Sequence, residues 1–297
     1  MEAVMQLGYI GFEVTDVGAW TKLCTDVIGL MPTSENADGC IGFRMDDCQQ
    51  RLFVREGPAD DVCALGLCAA STQEYDATLA RLTANGVAFE TMSAAAASAR
   101  GVERLVRVSA PYDTPIEFAT PLRSASTPYT TQFPGEEWLT GELGVGHVLL
   151  RVPDKDVMAK FLVDCFGFRF SNTGNASWNG HDGAQAAFMN CNARHHSLAF
   201  ATVGERLPQL AGHFMLERQK VDGVGLTYDR VRKEGLHVTN SIGRHTDGSL
   251  TFYTQTPSGF DFEIGAESFQ IDNDWKAYEL SSYSLWGHEF QPAPVLS

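Results

Sequence analysis

The chain has 297 residues, long enough for one large domain or two of ordinary size around a real core. Its 37 Asp and Glu against 22 Lys and Arg give a formal net charge of −15, which argues against phosphate-backbone binding, since that needs clustered cations. No apolar run approaches the roughly 20 residues of a membrane span, and the opening MEAVMQLGYIGFEV has no basic leader region or cleavage site; the expectation is a cytoplasmic protein with no nucleic-acid or membrane partner.

In chain order, residues 7–30 read LGYIGFEVTDVGAWTKLCTDVIGL and residues 143–168 read LGVGHVLLRVPDKDVMAKFLVDCFGF. Each has an alternating strand, a turn with an acidic residue (Asp16, Asp154), an amphipathic helix, and then D-x-x-G followed by a large apolar residue. The offset of about 136 residues indicates an internal duplication. A second correspondence follows. Tyr75-Asp76 is predicted to open a helix stopping at Asn85-Gly86 before a strand at Val87-Ala88-Phe89. Tyr228-Asp229 is predicted to open one stopping at Glu234-Gly235 before Leu236-His237-Val238. Glycine stands at the C-cap in both. The Ala-rich stretch Ser93 to Ala99 reads as a short surface loop or helix. Turn-rich segments then lead to an acidic strand, Thr114–Phe118 in the first half and Phe260–Ile264 in the second. Between the halves, residues 121–141 cluster Pro, Ser, Thr and Gly and read as a linker; the tail after Ser281 is expected to pack back on the second half. Strand–helix–several strands, twice over, is an α+β fold with antiparallel or mixed sheet, in two tandem domains, residues 1–135 and 136–297.

The seven cysteines are odd in number and include no C-x-x-C pair, as expected of buried, reduced thiols. The eight histidines all lie beyond residue 146. Set side by side, the copies place Gly11 against His147 and Cys63-Ala64-Leu65-Gly66-Leu67 against His213-Phe214-Met215-Leu216, while both keep a carboxylate, Glu117 and Glu263. A lone strand histidine is most often a core or surface residue. Two imidazoles and a carboxylate on three strands form the donor set of a facial triad, which leaves positions open on a non-haem Fe(II) ion, so the second half carries the candidate chemistry and the first does not.

Residues 243–263, GRHTDGSLTFYTQTPSGFDFE, resemble the signature of type I extradiol ring-cleavage dioxygenases of the vicinal oxygen chelate superfamily. Its elements are G-x-H, an apolar residue and Tyr, Thr-Pro-x-Gly, and Glu. LGYIGFEV, LGVGHVLLRV, CNARHHSLAF, GHFMLE and the tail WGHE extend the resemblance over almost the whole chain, and it is nearest to the two-domain 2,3-dihydroxybiphenyl and 1,2-dihydroxynaphthalene dioxygenase group. The resemblance implies paired βαβββ modules in each half (the glyoxalase-like fold). It implies Fe(II) held by His147, His213 and Glu263, an acid–base role for His196, and a hydrogen-bonding pair in His245 and Tyr253. Val148, Phe188 and Ala199 match pocket positions, and Asp247 stands where the family commonly has Asn; an ionised Asp can only accept hydrogen bonds. The implied reaction is extradiol cleavage of an aryl-substituted or fused-ring catechol by O2, giving a ring-opened semialdehyde or keto acid in aromatic catabolism, in a homo-oligomer that the resemblance makes an octamer.

Two other readings use the same fold. A glyoxalase-like, metal-dependent isomerase usually draws ligands from both repeats, and the first repeat here has no histidine. A non-catalytic aromatic-binding protein would need none of His196, His245 and Tyr253. Mn(II) suits the same ligands as Fe(II). His195 reads as a structural neighbour of His196, His181 as a loop residue, His237 as a surface residue, His288 as a tail residue and Glu117 as a relic.

Overall fold

The computed structural model describes residues 4–33, 39–179, 181–204 and 207–292. The first half forms an eight-stranded sheet from β1 (Met5–Val14), β2 (Met31–Pro32), β3 (Ile41–Arg44), β4 (Leu52–Glu56), β5 (Asp61–Ala69), β6 (Phe89–Thr91), β7 (Leu105–Val108) and β8 (Ile116–Ala119), in the spatial order 2-3-4-1-5-8-7-6. The second half forms a ten-stranded sheet from β9 (His147–Val152), β10 (Arg169–Trp178), β11 (His181–Asn190), β12 (Leu198–Thr202), β13 (Ala211–Arg218), β14 (Val238–His245), β15 (Leu250–Gln255), β16 (Asp261–Ala266), β17 (Tyr278–Leu280) and β18 (Ser284–Trp286), in the order 17-10-11-12-9-13-16-15-14-18. With β17 and β18 set aside, the two orders are identical. Each sheet is two βαβββ modules joined along an antiparallel seam, β1 against β5 and β9 against β13. The α+β expectation and the duplication hold, and the C-terminal segment adds two edge strands, of which β18 lies in the tail after Ser281.

Four of the described α-helices form where the sequence supplies a side-chain cap, and α5 starts without one. α1 (Val17–Lys22) and α4 (Lys155–Phe166) start at the two turn aspartates: Asp16 accepts from the Ala19 amide at 2.8 Å and Asp154 from the Asp156 amide at 2.8 Å. α2 (Thr72–Ala84) is capped by Ser71, and α3 (Ala94–Ala99) by Ser93, resolving the Ala-rich stretch as a helix. α5 (Val221–Lys233) begins seven residues before Tyr228. The two Tyr-Asp pairs are therefore not equivalent: the matched glycines Gly86 and Gly235 align the helix ends, and on that alignment Tyr228 falls one turn beyond Tyr75. The strands after these helices begin later than expected, at Phe89 and Val238.

One apolar core runs across both halves. Phe12 stacks on Trp20 at 4.9 Å between centroids and meets Phe214 and Phe260 of the second half at 5.1 and 5.3 Å. The Trp20 indole donates to Ser258 Oγ at 2.8 Å. The expected linker is not loose. Trp138 is buried beneath the Arg218 guanidinium, 3.5 Å from its ring centroid, and Glu136 takes both Arg218 and Arg230, at 3.1 and 2.7 Å. Five cysteines are buried, two are half-buried and all are free, in keeping with reduced thiols.

The register corrects the side-by-side placement of the copies. Tyr9 opposes Gly66, which pairs with Glu117; His147 opposes Met215, which pairs with Glu263. Tyr9 is thus the positional counterpart of His147, and Gly11 is not. By the same register Ala64, not Cys63, stands in for His213. The LG string misled because Leu7-Gly8 lies inside β1, whereas Leu143-Gly144 lies in a turn before β9, with Gly144 at φ +79°. Glu117 is more than a relic: it is buried, accepts the Tyr9 hydroxyl at 2.7 Å and pairs with Arg100 at 3.1 Å. The Arg100 guanidinium covers the Phe53 ring at 4.0 Å, so apolar and paired groups fill this half's version of the site.

Candidate active site

The seam of the second sheet brings the central groups together. His147 opens β9, His213 lies near the start of β13, and Glu263 lies on β16 alongside. Gly146 is required just before His147: its φ is +145°, and a Cβ there would come within 1.9 Å of the Met215 carbonyl oxygen. His147 Nε2 and His213 Nε2 are 3.1 Å apart and lie 3.3 and 3.4 Å from Glu263 Oε2. That oxygen is buried and, among the described residues, has no hydrogen-bond partner. Burial pushes His213 down to about 3, favouring its neutral form. Burial opposes ionisation of Glu263 too, but the imidazoles of His147, His245 and His213 outweigh it and hold the carboxyl well below its usual range. Three lone-pair donors thus converge on one point. Ligand atoms on one face of an octahedral ion at about 2.1 Å sit about 3 Å apart, so the set fits a divalent cation and the buried, unpaired Oε2 gives it a reason to bind one.

Around this point, His196 packs against the His147 ring at 4.0 Å and meets Phe188 edge-on at 5.1 Å. Burial, then the neighbouring His147 and His195, push His196 well below its ordinary value, so it is neutral at pH 7. His245 Nδ1 donates to the Tyr283 carbonyl at 2.8 Å, which turns Nε2 towards the Tyr253 hydroxyl at 2.7 Å and Glu263 Oε1 at 3.4 Å. Burial would lower the His245 pKa, but Glu263 and Asp247 outweigh it and the pKa is raised. Burial and then Glu263 push Tyr253 well above 10, keeping the phenol protonated. Asp247 accepts from Ser249 N at 3.0 Å and Ser249 Oγ at 2.6 Å, the acceptor role expected of a carboxylate.

All these groups line one cavity of about 700 Å³. Phe188 lines it. Val148 does not: strand alternation points His147, Leu149 and Arg151 into the cavity and buries Val148 in the core behind. Ala199 is registered between Phe188 and Leu149 but lies beneath the lining, which Ala201 supplies instead.

Residues 144–264 match the family described as Glyoxalase/Bleomycin resistance protein/Dioxygenase superfamily, and residues 7–57 match Dihydroxybiphenyl dioxygenase BphC D1. Over 292 residues the chain is 36% identical to a biphenyl-2,3-diol 1,2-dioxygenase from Paraburkholderia xenovorans, covering 97% of this chain and 96% of that one. The chain belongs to the extradiol dioxygenase family. A 3-methylcatechol 2,3-dioxygenase from Pseudomonas putida is 35% identical, with 97% and 99% covered. A crystal structure of a catechol 2,3-dioxygenase superposes with a TM-score of 0.88 at 28% identity, covering 98% of this chain and 97% of that one.

Sequence reasoning missed several features of this extradiol dioxygenase site. Trp178 stands edge-on to Tyr253 at 5.7 Å and near His245 at 5.5 Å, and Tyr283 brings a second ring. Arg151 and Leu149 were legible in principle, because they share His147's face of β9. His288 stacks on His245 at 4.0 Å and bonds to Thr251 and Ser284, bracing that ring from the tail. His195 bonds to His196 as its neighbour. His237 is half-buried and bonds to the Gln291 carbonyl, outside the cavity. His181, expected in a loop, is instead the first residue of β11; Gly180 before it lies outside the described residues.

Proposed function

We propose that this protein is an Fe(II)-dependent extradiol dioxygenase that opens an aryl-substituted or fused-ring catechol with O2. The observation that carries the reading is the convergence of His147, His213 and Glu263 with His196 and the His245–Tyr253 pair on one cavity that Trp178, Phe188 and Tyr283 also line. The two imidazoles and Glu263 would hold the ion, and Mn(II) suits the same donors. When bound, the ion would acidify the catechol hydroxyls and bring the catechol together with O2.

The chain's own residues supply the rest. Trp178, Phe188, Tyr283 and Leu149 form apolar walls that take an aromatic ring and exclude water. The cavity is large enough for a second ring beyond the catechol. His196 is neutral and stands beside His147, so it accepts a substrate proton and returns it to an oxygen atom as the O–O bond breaks. Tyr253 stays a donor, and a His245 of raised pKa beside Glu263 favours the charged form; together they offer hydrogen bonds to the substrate's oxygen atoms as negative charge develops there.

The same reading carries two domains, residues 1–135 with no metal and residues 136–297 with the catalytic ion, assembled as a cytoplasmic homo-octamer. Light scattering of the purified protein tests the assembly. Anaerobic loading with Fe(II) or, separately, Mn(II), followed by oxygen uptake with catechol, 3-methylcatechol, 2,3-dihydroxybiphenyl and 1,2-dihydroxynaphthalene, tests the reaction. A yellow ring-fission product is expected with at least one of them. No uptake with any of the four, with either ion, overturns the reading.

A further inference from the structure

The acid–base histidine reaches only one protein partner among the hydrogen bonds of the described residues, and that partner is another histidine. His196 Nδ1 lies 2.9 Å from His195 Nδ1, so one of these two nitrogens carries the proton between them. Which one does is decided further back. His195 Nε2 lies 2.8 Å from Asn172 Oδ1. The Asn172 amide is itself oriented, because its Nδ2 donates to the Tyr278 carbonyl at 2.9 Å; a flipped amide would press its oxygen against that carbonyl. Asn172 therefore offers His195 an acceptor, and His195 Nε2 must carry a hydrogen. Burial holds His195 below its ordinary pKa against the pull of Asp247, so the ring is neutral and its Nδ1 is a bare lone pair. The hydrogen between the rings then belongs to His196 Nδ1, and the basic lone pair of His196 is on Nε2.

We propose that Asn172 and His195 are positioning residues that fix His196 in its Nδ1–H tautomer, so that Nε2 meets the substrate as a base. The inference rests on the acid–base role given to His196 above. The relay is built into the fold. Asn172 is a fully buried residue of β10 whose partner Tyr278 lies on β17, the edge strand added by the C-terminal segment. The His195 carbonyl accepts from Ser171 Oγ, and its ring is held edge-on by Trp275 at 5.6 Å. Without an acceptor at His195, His196 would be free to place its hydrogen on Nε2, and a base in the wrong tautomer cannot take a proton from the substrate.

The test uses the full-length, metal-free protein labelled with ¹⁵N-histidine, whose two-bond ¹H–¹⁵N correlations report the tautomer of each ring without any turnover. Wild-type His196 is expected as Nδ1–H. His195→Ala should move it predominantly to Nε2–H. His195→Asn, which puts an amide oxygen near the position of His195 Nδ1, should restore Nδ1–H. In the iron-loaded enzymes, His195→Ala should lower kcat roughly 100-fold, within the ~10²–10⁴ that general acid–base catalysis supplies; KM and iron content should be unchanged, and His195→Asn should recover most of the loss. An unchanged His196 tautomer in His195→Ala, or an asparagine variant no better than alanine, overturns the proposal. Failure of the wild type to consume oxygen would instead remove the dioxygenase reading, while the tautomer shift would still be measured.

Discussion

Residues a few ångströms apart in this site divide into those that would hold an ion and those that would move protons, and substitution separates them. His213→Ala removes one of three converging donors and should lower iron content at least about tenfold, since even outer-shell changes cost that much. His196→Ala leaves all three donors and should retain iron while kcat falls by roughly 10²–10⁴. Metal analysis beside turnover measurement checks both; iron loss in both variants would refute the division. A second pair concerns neighbours on β9. Val148→Ala, in the core, should cost about 2 kcal/mol of stability and leave substrate preference alone. Leu149→Phe narrows the cavity and should lower the preference for 2,3-dihydroxybiphenyl over catechol by about tenfold or more. Urea melts and competitive oxygen-uptake assays tell the two apart. The contrast shows what was legible at this scale: the histidine and glutamate positions stood in the sequence signature, and strand period alone would have exchanged Val148 for Leu149. Asn172 gave no signal, because its role arises from β17, a partner more than a hundred residues away.

At the scale of elements, the duplication was legible as repeated strand–turn–helix text with Asp16 and Asp154 as caps, but the registers were not. A string match does not sense that one LG lies in a strand and the other in a turn. The error was two residues at His147, which keeps the face and changes the partner, and one residue at His213, which changes the face; Tyr9 and Ala64 are the true counterparts. β8 kept its carboxylate and found a different use for it. In Glu117→Gln the half-buried Arg100 loses its counter-ion and the buried Tyr9 loses its charged acceptor. Breaking a buried pair by removing one partner costs about 3–5 kcal/mol, so the urea midpoint should fall substantially while iron content and KM stay at wild-type values. A metal or KM defect would mean that the first half contributes to the site directly.

For the whole molecule, the acid response sets buried imidazoles against surface charge. Burial lowers the folded pKa of His195, His196, His213 and His288, the last two to about 3 and about 4. In the unfolded chain each would titrate near 6.5. Below that pH the unfolded state binds protons that the folded state refuses, so stability present at pH 7 is lost as pH falls, by up to about 1.4 kcal/mol per pH unit for each histidine. His245 runs the other way: its folded pKa is raised, and its contribution is full below 6.5 and lost as pH rises through that higher value. Asp261, which burial raises to about 6, likewise takes up its proton earlier in the folded chain than in the unfolded one, so four groups stand against two and a net loss on acidification remains. The charge of −15 opposes it, because self-repulsion relaxes as pH approaches the sequence pI near 4.9. At 0.15 M salt, however, the screening length is about 8 Å, which weakens repulsion between distant surface charges and leaves the buried rings untouched. The histidine effect should therefore win, and the urea midpoint of the metal-free protein at 0.15 M salt should fall steadily from pH 7.5 to pH 5.5. A flat or rising midpoint would show that surface repulsion governs the fold's acid response, with the buried histidines taking up protons in the native state.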